Sequence, residues 1–260
     1  GNTGPEAMTI GVPGNNPYVI TVGAMSDNYT PADGSDDVLA SFSSAGPTVE
    51  GFVKPEVVAP GGHMVARTRI KSTLAKKHPE FHDYDKYFTM SGTSQAAAVV
   101  SGVVALMLDA KPWLTPDDVK CQLMSSARPA VNADGTLAYS IFQQGAGLVN
   151  AVDAVENMDT GCANRGLDVD ADLAGLAHFG GLANQDADGN YYIMGADGFL
   201  WADGFLWADG FLWADGFLWA DGFLWADGYL WADGFLWADG FLWADGLTET
   251  VSTNVWVSQE

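Results

Sequence analysis

A serine that precedes a long apolar segment is the residue best suited to chemistry in this 260-residue chain. Ser94 follows Gly92 and Thr93, and residues 95–108 contain no proline and no charge before Asp109. This pattern predicts a tight turn that leads into a buried helix, with the hydroxyl of Ser94 at the N-terminal end. The unpaired N–H groups of such an end stabilise an anion that develops on a substrate. Ser94 is therefore a candidate nucleophile, although a serine at such a position more often only caps the helix.

Four further segments favour the nucleophile over the cap. They are Gly1–Gly4, Ala40–Pro47, Lys54–Gly61 and Gly145–Val155. With the serine stretch, Thr89–Leu108, they resemble in order the motifs of the subtilisin-like serine proteases (subtilases) over about 155 residues. An ordered set of motifs is far more specific than one short match.

The resemblance implies roles for five residues in a peptide-hydrolysing site. Ser94 would be the nucleophile, and Asn2 would donate to the oxyanion of the tetrahedral intermediate. Thr93 would support them, while Gly1 and Gly92 would border the bound substrate. No cofactor is required for this chemistry.

The resemblance also implies that half of the active site lies outside this sequence. In the family the catalytic aspartate and histidine precede the asparagine, and this sequence begins at the asparagine motif. None of its histidines lies in a matching motif, so none is predicted to be the base: His63, His78, His82 and His178. The isolated chain is therefore predicted to be inactive. An upstream segment or a separate chain would carry both residues and pack against Val19–Val22 and Ser94.

Two functions follow from different classes of protein. The first is a secreted serine endopeptidase of the subtilase type, acting on peptide substrates, with a C-terminal repeat that anchors or assembles it. The alternative is a structural or filament-forming protein in which the protease-like domain is an inactive scaffold. Family members usually carry methionine and proline where this chain has Gln95 and Ala98. These departures affect the expected shape of the site and leave the nucleophile in place.

The composition narrows the set of partners and compartments. A net charge of −22 argues against nucleic acid and anionic membranes as partners. No apolar run is long enough to predict a membrane span. The family is usually extracellular, and in that compartment Cys121 and Cys162 would form a disulfide; two buried thiols are the alternative.

The predicted fold is α/β, with part of a subtilisin-like parallel sheet and its helices. Tyr18–Ala24 and Val57–Ala59 are predicted strands of that sheet, and Thr115 is the predicted N-cap of a helix that runs to about Ala127. The basic stretch 67–87 is predicted to be a solvated loop; its functional alternative is a rim that contacts an acidic substrate or another acidic surface. The predicted boundaries are 1–157 for the catalytic part, 158–192 for an Asp-rich linker, 193–246 for a repeat and 247–260 for a terminal cap.

The linker contains one weak candidate for a structural calcium site. Asp186, Asp188 and Asn190 alternate as oxygen ligands do in calcium loops. The bidentate glutamate of such a loop is missing, so a plain Asp-Gly turn is favoured.

The C-terminal segment consists of a hexapeptide array. Phe-Leu-Trp-Ala-Asp-Gly occurs eight times between Phe199 and Gly246, with Tyr229 in place of one phenylalanine. A glycine in each unit and a period of six disfavour a helix, whereas an apolar run followed by Asp-Gly favours strands and tight turns. The array is therefore predicted to be a β-solenoid or else an antiparallel meander. Neither face of such a sheet would be polar, which predicts self-association through the repeat or packing onto the protease-like domain, ahead of carbohydrate binding.

Overall fold

The computed structural model describes residues 1–30, 34–83, 85–133, 135–186 and 189–193, and the backbone of 197–238 and 241–248. The strands are β1 Val22–Ser26, β2 Val38–Leu39, β3 Val57–Pro60, β4 Met64–Arg67, β5 Tyr87–Met90, β6 Ala183–Gln185, β7 Tyr191–Ile193, β8 Asp197–Ala238 and β9 Phe241–Thr248. The helices are α1 Thr73–Lys77, α2 Thr93–Ala110, α3 Pro116–Ser125, α4 Ile141–Gln144, α5 Ala151–Glu156 and α6 Val169–Leu173, with a 3-10 turn at Pro79–Phe81.

A three-stranded sheet in the order β2-β1-β3 lies at the centre of the predicted catalytic part of the chain. β1 pairs in parallel with β3, with Val22 opposite Val57, and in antiparallel with the short β2. All five residues of β1 are buried, as parallel strands covered on both faces require. The α/β prediction is confirmed for this part of the chain, although the strand begins at Val22 and not at Tyr18.

Helix α2 packs one side on this sheet. Ala96, Val100, Val103 and Met107 recur at helical spacing and form a core with β1, β3, α3 and α5. The other side is open, and Leu106 is 57% exposed there. By length and composition alone α2 could cross a membrane, whereas its contacts with the sheet are those of a core helix.

Helix α3 begins with the predicted cap. The Thr115 hydroxyl accepts from the backbone N–H of Asp118 at 3.2 Å, and the Asp118 carboxylate accepts from the backbone N–H of Thr115 at 3.0 Å. The first helical residue is Pro116, whose missing N–H needs no partner at that position. The N-cap prediction is confirmed, and the helix ends at Ser125.

Two buried lysines share one buried carboxylate beneath α3. Lys54 and Lys120 both donate to Glu56 Oε1, Lys120 at 2.7 Å, and Glu56 Oε2 accepts from the backbone N–H of Thr21 at 2.7 Å. Lys54 also donates to the carbonyl of Val19 at 2.8 Å. Burial lowers the pKa of Lys54 from 10.5 to about 8, against the opposing effect of the Glu56 charge. The cluster joins the residues just before β3, the helix α3 and the segment that leads into β1.

We expect the free energy of unfolding to rise with pH between about 8 and 10.5 because of Lys54. In that window the folded protein has released the Lys54 proton, whereas the unfolded chain still binds it, so deprotonation favours the folded state. The rise from this group is at most about 3 kcal/mol. Urea denaturation at several pH values measures it, and a Lys54→Met variant should lack this component. An identical pH dependence in both proteins would contradict it.

The segment predicted to be a linker packs against the part of the chain that precedes it. Cys162 is bonded to Cys121 of α3, with a Cα–Cα distance of 5.2 Å. Further along, the backbone N–H of Gly181 donates to the Glu50 carbonyl at 2.7 Å. The antiparallel pair β6–β7 then places the Tyr191 ring edge-on against Phe142, with 6.1 Å between the ring centroids.

In the repeat, β9 pairs in parallel with the part of β8 that lies three hexapeptide units earlier. Phe223 is opposite Phe241 and Trp225 is opposite Trp243, so each residue faces its counterpart in the other unit. The register then shifts, so that Tyr229 is opposite Gly246. Of the predicted cap, 247–260, only the first two residues belong to β9, and the rest lies outside the described residues.

Candidate active site

Ser94 lies in the first turn of α2, at the junction with a short hairpin strand. Strand β5 ends at Met90, Gly92 is the N-cap residue, and α2 begins at Thr93. Ser94 is exposed on the surface of the described chain, whereas Gly92 and Thr93 beside it are buried. The sequence prediction of a turn followed by a helix is confirmed here.

Asn2 meets this turn across a separation of 91 residues. The backbone N–H and the hydroxyl of Thr93 both donate to Asn2 Oδ1, at 2.9 and 2.8 Å. Both bonds use the side-chain oxygen, so the amide NH₂ of Asn2 is left to donate elsewhere. Thr93 therefore sets which end of the Asn2 amide faces outward.

Glycine at position 92 keeps space open around that amide. A Cβ built on Gly92 would lie 2.8 Å from Gln95 Oε1 and 3.4 Å from Asn2 Nδ2. Any side chain there would displace the Gln95 carboxamide and crowd the donor group of Asn2. Gln95, which departs from the family pattern, thus has its side chain folded back over the turn.

The loop that carries Asn2 is held by a neighbouring segment. Ser44 donates its backbone N–H to the carbonyl of Gly1 at 3.0 Å, and its Oγ accepts from the backbone N–H of Thr3 at 3.2 Å. The backbone N–H of Gly4 donates to the carbonyl of Phe42 at 3.0 Å. The positions of Gly1 and Asn2 therefore depend on residues 42–44, which belong to one of the resembling segments.

Ser94 itself keeps two groups without a partner among the residues that the structure describes. Neither its backbone N–H nor its hydroxyl makes a hydrogen bond to the described part of the chain. An N–H at a helix N-terminus that has no partner is a donor for an anion. Unpaired N–H groups were expected at this helix end, and the N–H of Ser94 is one of them.

The described contacts of the four histidines do not include one to Ser94. His82 is buried with Nε2 3.0 Å from the Thr68 carbonyl, and His78 and His178 contact the carboxylates of Glu80 and Asp172. The ring of His63 lies against Tyr29, with centroids 3.7 Å apart. No histidine within the described ranges is hydrogen-bonded to the Ser94 hydroxyl.

Two contacts missed by the sequence analysis join the end of β3 to the serine turn. Gly92 donates its backbone N–H to the carbonyl of Gly61 at 2.8 Å, and His63 donates its backbone N–H to Ser91 Oγ at 2.9 Å. A Cβ on Gly61 would lie 2.9 Å from the carbonyl oxygen of Gly92, so only glycine allows this approach. The residues after β3 therefore form one wall of the site.

Two of the calcium candidates, Asp186 and Asn190, are joined by hydrogen bonds. Asp186 Oδ1 accepts from the backbone N–H of Asn190 at 2.8 Å, and Oδ2 accepts from the Asn190 side chain at 3.1 Å. Asp188 lies outside the described residues. Across the described part of the chain, no group of three or more histidine, cysteine or acidic side chains could hold a metal. The calcium site therefore stays a prediction.

Comparison with known proteins identifies one family and several similar proteins. The subtilase family profile matches residues 1–149. The chain is 43% identical over 155 residues to the serine protease AprX of Bacillus subtilis (strain 168), a match that covers 60% of this chain and 34% of AprX. It is 33% identical over 119 residues to the minor extracellular protease Vpr of the same organism, covering 45% of this chain and 14% of Vpr.

Among solved structures, the chain is similar to fervidolysin from Fervidobacterium pennivorans, a keratinolytic enzyme related to subtilisin. The identity is 26% and the TM-score is 0.42, covering 56% of this chain and 20% of fervidolysin. The chain thus spans about a third or less of the length of each of these three proteins.

Proposed function

Because this chain belongs to the subtilase family, we propose that it provides the nucleophile and oxyanion half of a serine endopeptidase site. Ser94 attacks the scissile carbonyl, and the backbone N–H of Ser94 and the amide of Asn2 donate to the oxygen that becomes negative. The observation that carries the proposal is the pair of hydrogen bonds from Thr93 to Asn2 Oδ1, which brings two distant motifs together.

The proton of Ser94 requires a base from outside these residues. An upstream segment or a separate chain would supply the histidine that takes this proton and the aspartate that orients the histidine. After attack, the histidine returns the proton to the leaving amine, and water then hydrolyses the acyl-enzyme by the same route. The positive end of the 18-residue helix α2 favours the charge that develops on the substrate oxygen.

We further propose that the protein acts outside the cell. The disulfide between Cys121 and Cys162 supports an oxidising compartment, and Vpr, which resembles this chain, is described as extracellular.

A covalent serine-hydrolase probe tests the proposed activity. We expect a fluorophosphonate to label the complete protein at Ser94, because the probe reacts with serines activated by a base. Peptide mapping after labelling identifies the modified residue. Absence of labelling in a complete, folded protein would instead favour the inactive scaffold.

For the repeat we propose a β-solenoid that self-associates. Parallel pairing between units three copies apart supports this architecture over an antiparallel meander, because a chain that returns parallel to itself completes one circuit between the paired residues. We expect the protein to form oligomers or filaments, and a variant that ends after Ile193 to be monomeric. Sedimentation velocity and electron microscopy of the two proteins distinguish these outcomes; equal oligomeric states would refute assembly through the repeat.

A further inference from the structure

The basic stretch before Ser94 folds into a hairpin that extends from the proposed active site. It consists of β4, β5 and the described residues between them, 68–83 and 85–86, and we call it the basic hairpin. The two strands pair in antiparallel, with Met64 opposite Met90 and Arg67 opposite Tyr87. The strand ends at Met64 and Met90 adjoin the two contacts that hold the serine turn, Gly61 with Gly92 and His63 with Ser91. The base of the hairpin is thus part of the proposed site.

The outer part of the hairpin has a small core and fixed turns. Ala75, His82 and Phe88 are buried, and the Ser72 hydroxyl caps α1 by accepting from the backbone N–H of Ala75. Asp83 Oδ1 accepts three backbone N–H bonds, from Asp85, Lys86 and Tyr87, each 2.9 Å long. These contacts explain why the segment is not the solvated loop that its charge predicts.

The hairpin carries most of the exposed positive charge of the chain. Three of the 11 lysines and arginines are buried, and six of the other eight lie in the hairpin. The six are Arg67, Arg69, Lys71, Lys76, Lys77 and Lys86. Only Lys86 has a carboxylate partner within the described ranges, Asp85 at 3.7 Å. The other five are exposed cations on a chain whose net charge is −22.

The local charge, and not the total charge, decides what this surface attracts. At physiological ionic strength, charges separated by more than about 8 Å are largely screened. The hairpin also carries the carboxylates of Glu80, Asp83 and Asp85, so a peptide bound along it experiences a local excess of positive charge. Exposed apolar side chains lie among them, Ile70 at 46% and Phe81 at 52% exposure. Cations interleaved with apolar groups suit a polypeptide that carries both acidic and apolar residues.

We propose that the basic hairpin is a docking surface for acidic stretches of polypeptide substrates. This inference rests on the proposed function, because it places the docked stretch beside the serine turn. The four paired residues from Met64 to Arg67 span about 10 Å, since a strand rises about 3.3 Å per residue. An extended substrate covers the same distance in three to four residues. The acidic stretch should therefore begin about four residues from the cleaved bond.

The test measures how fast the complete protein hydrolyses peptides that share one cleavable core. In each pair, one peptide carries a block of four aspartates that begins about four residues from the scissile bond, and its partner carries four serines at the same positions. One pair has this block on the N-terminal side of the scissile bond, and a second pair has it on the C-terminal side. We expect kcat/KM for the aspartate peptide of one of these pairs to exceed that of its serine partner roughly tenfold, an advantage that falls with added salt.

Charge-removing variants identify the surface. In the triple variant Lys71→Gln, Lys76→Gln and Lys77→Gln, the preference for aspartate should disappear while hydrolysis of the serine peptide is unchanged. The matched control is Arg128→Gln, which removes a cation outside the hairpin and should keep the preference. Equal rates for both peptides in the unaltered protein, or an unchanged preference in the triple variant, would overturn the proposal.

A binding measurement separates this proposal from the proposed activity. Fluorescence anisotropy of the labelled aspartate peptide with a Ser94→Ala protein reports docking without hydrolysis, and the triple variant should bind roughly tenfold more weakly. If the peptide bound but the unaltered protein did not hydrolyse it, the proposed function would be refuted and the docking surface would still be supported. Competition experiments compare an oligonucleotide with polyglutamate at equal concentrations of negative charge. If the oligonucleotide displaced the peptide at the lower concentration, an acidic polypeptide would be refuted as the partner.

Discussion

Replacing Ser94 with alanine should lower kcat for peptide hydrolysis by about 10⁶-fold, the loss found in subtilisin when the nucleophile is removed. The side chain lies exposed in the first turn of α2 and makes no hydrogen bond within the described part of the chain. Its removal therefore costs little stability, and the loss of activity reports chemistry and not unfolding. Single-turnover kinetics with a chromogenic peptide measures the effect.

Ser101→Ala is the matched control for this change. Ser101 is an exposed serine on the same helix, and its hydroxyl donates to the carbonyl of Ala97 at 2.7 Å. The control should retain both full activity and probe labelling. If Ser94→Ala and Ser101→Ala reduced activity equally, the hydroxyl of Ser94 would have no special role.

Replacing Asn2 with aspartate should lower kcat by about 10²- to 10³-fold with little change in KM. An aspartate has nearly the same shape and can still accept the two hydrogen bonds from Thr93. It has no NH₂ group, however, so the donor to the oxyanion is lost, and its charge opposes the developing negative charge. Steady-state kinetics separates kcat from KM.

Variants of Thr93 separate the donor from its support. Thr93→Val removes only the hydroxyl bond to Asn2 and should lower kcat by about tenfold at most, because one neutral hydrogen bond contributes about 1 kcal/mol. Thr93→Ser keeps the hydroxyl and should stay close to full activity. Activity of Asn2→Asp equal to that of the unaltered protein would exclude Asn2 from the oxyanion site.

The local geometry around the candidate site was predictable because its residues lie in ordered motifs. Short motifs fix local geometry, as the junction of turn and helix at Thr93 and the cap at Thr115 illustrate. The exact partners were not predictable, since the bond between Asn2 and Thr93 depends on how segments 91 residues apart fold together. The wall formed by Gly61 was missed for the same reason.

The charge of a side chain was the least reliable guide to whether its residue is buried or exposed. Lysine is expected at the surface, yet Lys54 and Lys120 are buried because Glu56 and backbone carbonyls satisfy their donors. The basic hairpin was expected to be a solvated loop, and it is ordered because a few small and aromatic residues among the cations form a core. In both cases the compensating contact comes from residues whose proximity the sequence pattern does not reveal.

The disulfide between Cys121 and Cys162 has a mechanical consequence. If the C-terminal repeat is tethered, tension enters the domain through residue 193 and first pulls on β7 and β6, which are held by backbone hydrogen bonds and by packing against Ile141 and Phe142. The unravelling then stops at Cys162, because the covalent crosslink passes the load directly into α3. Residues 122–161, which include α4 and α5, thereby leave the path of the force, so tension on the tail does not unravel them.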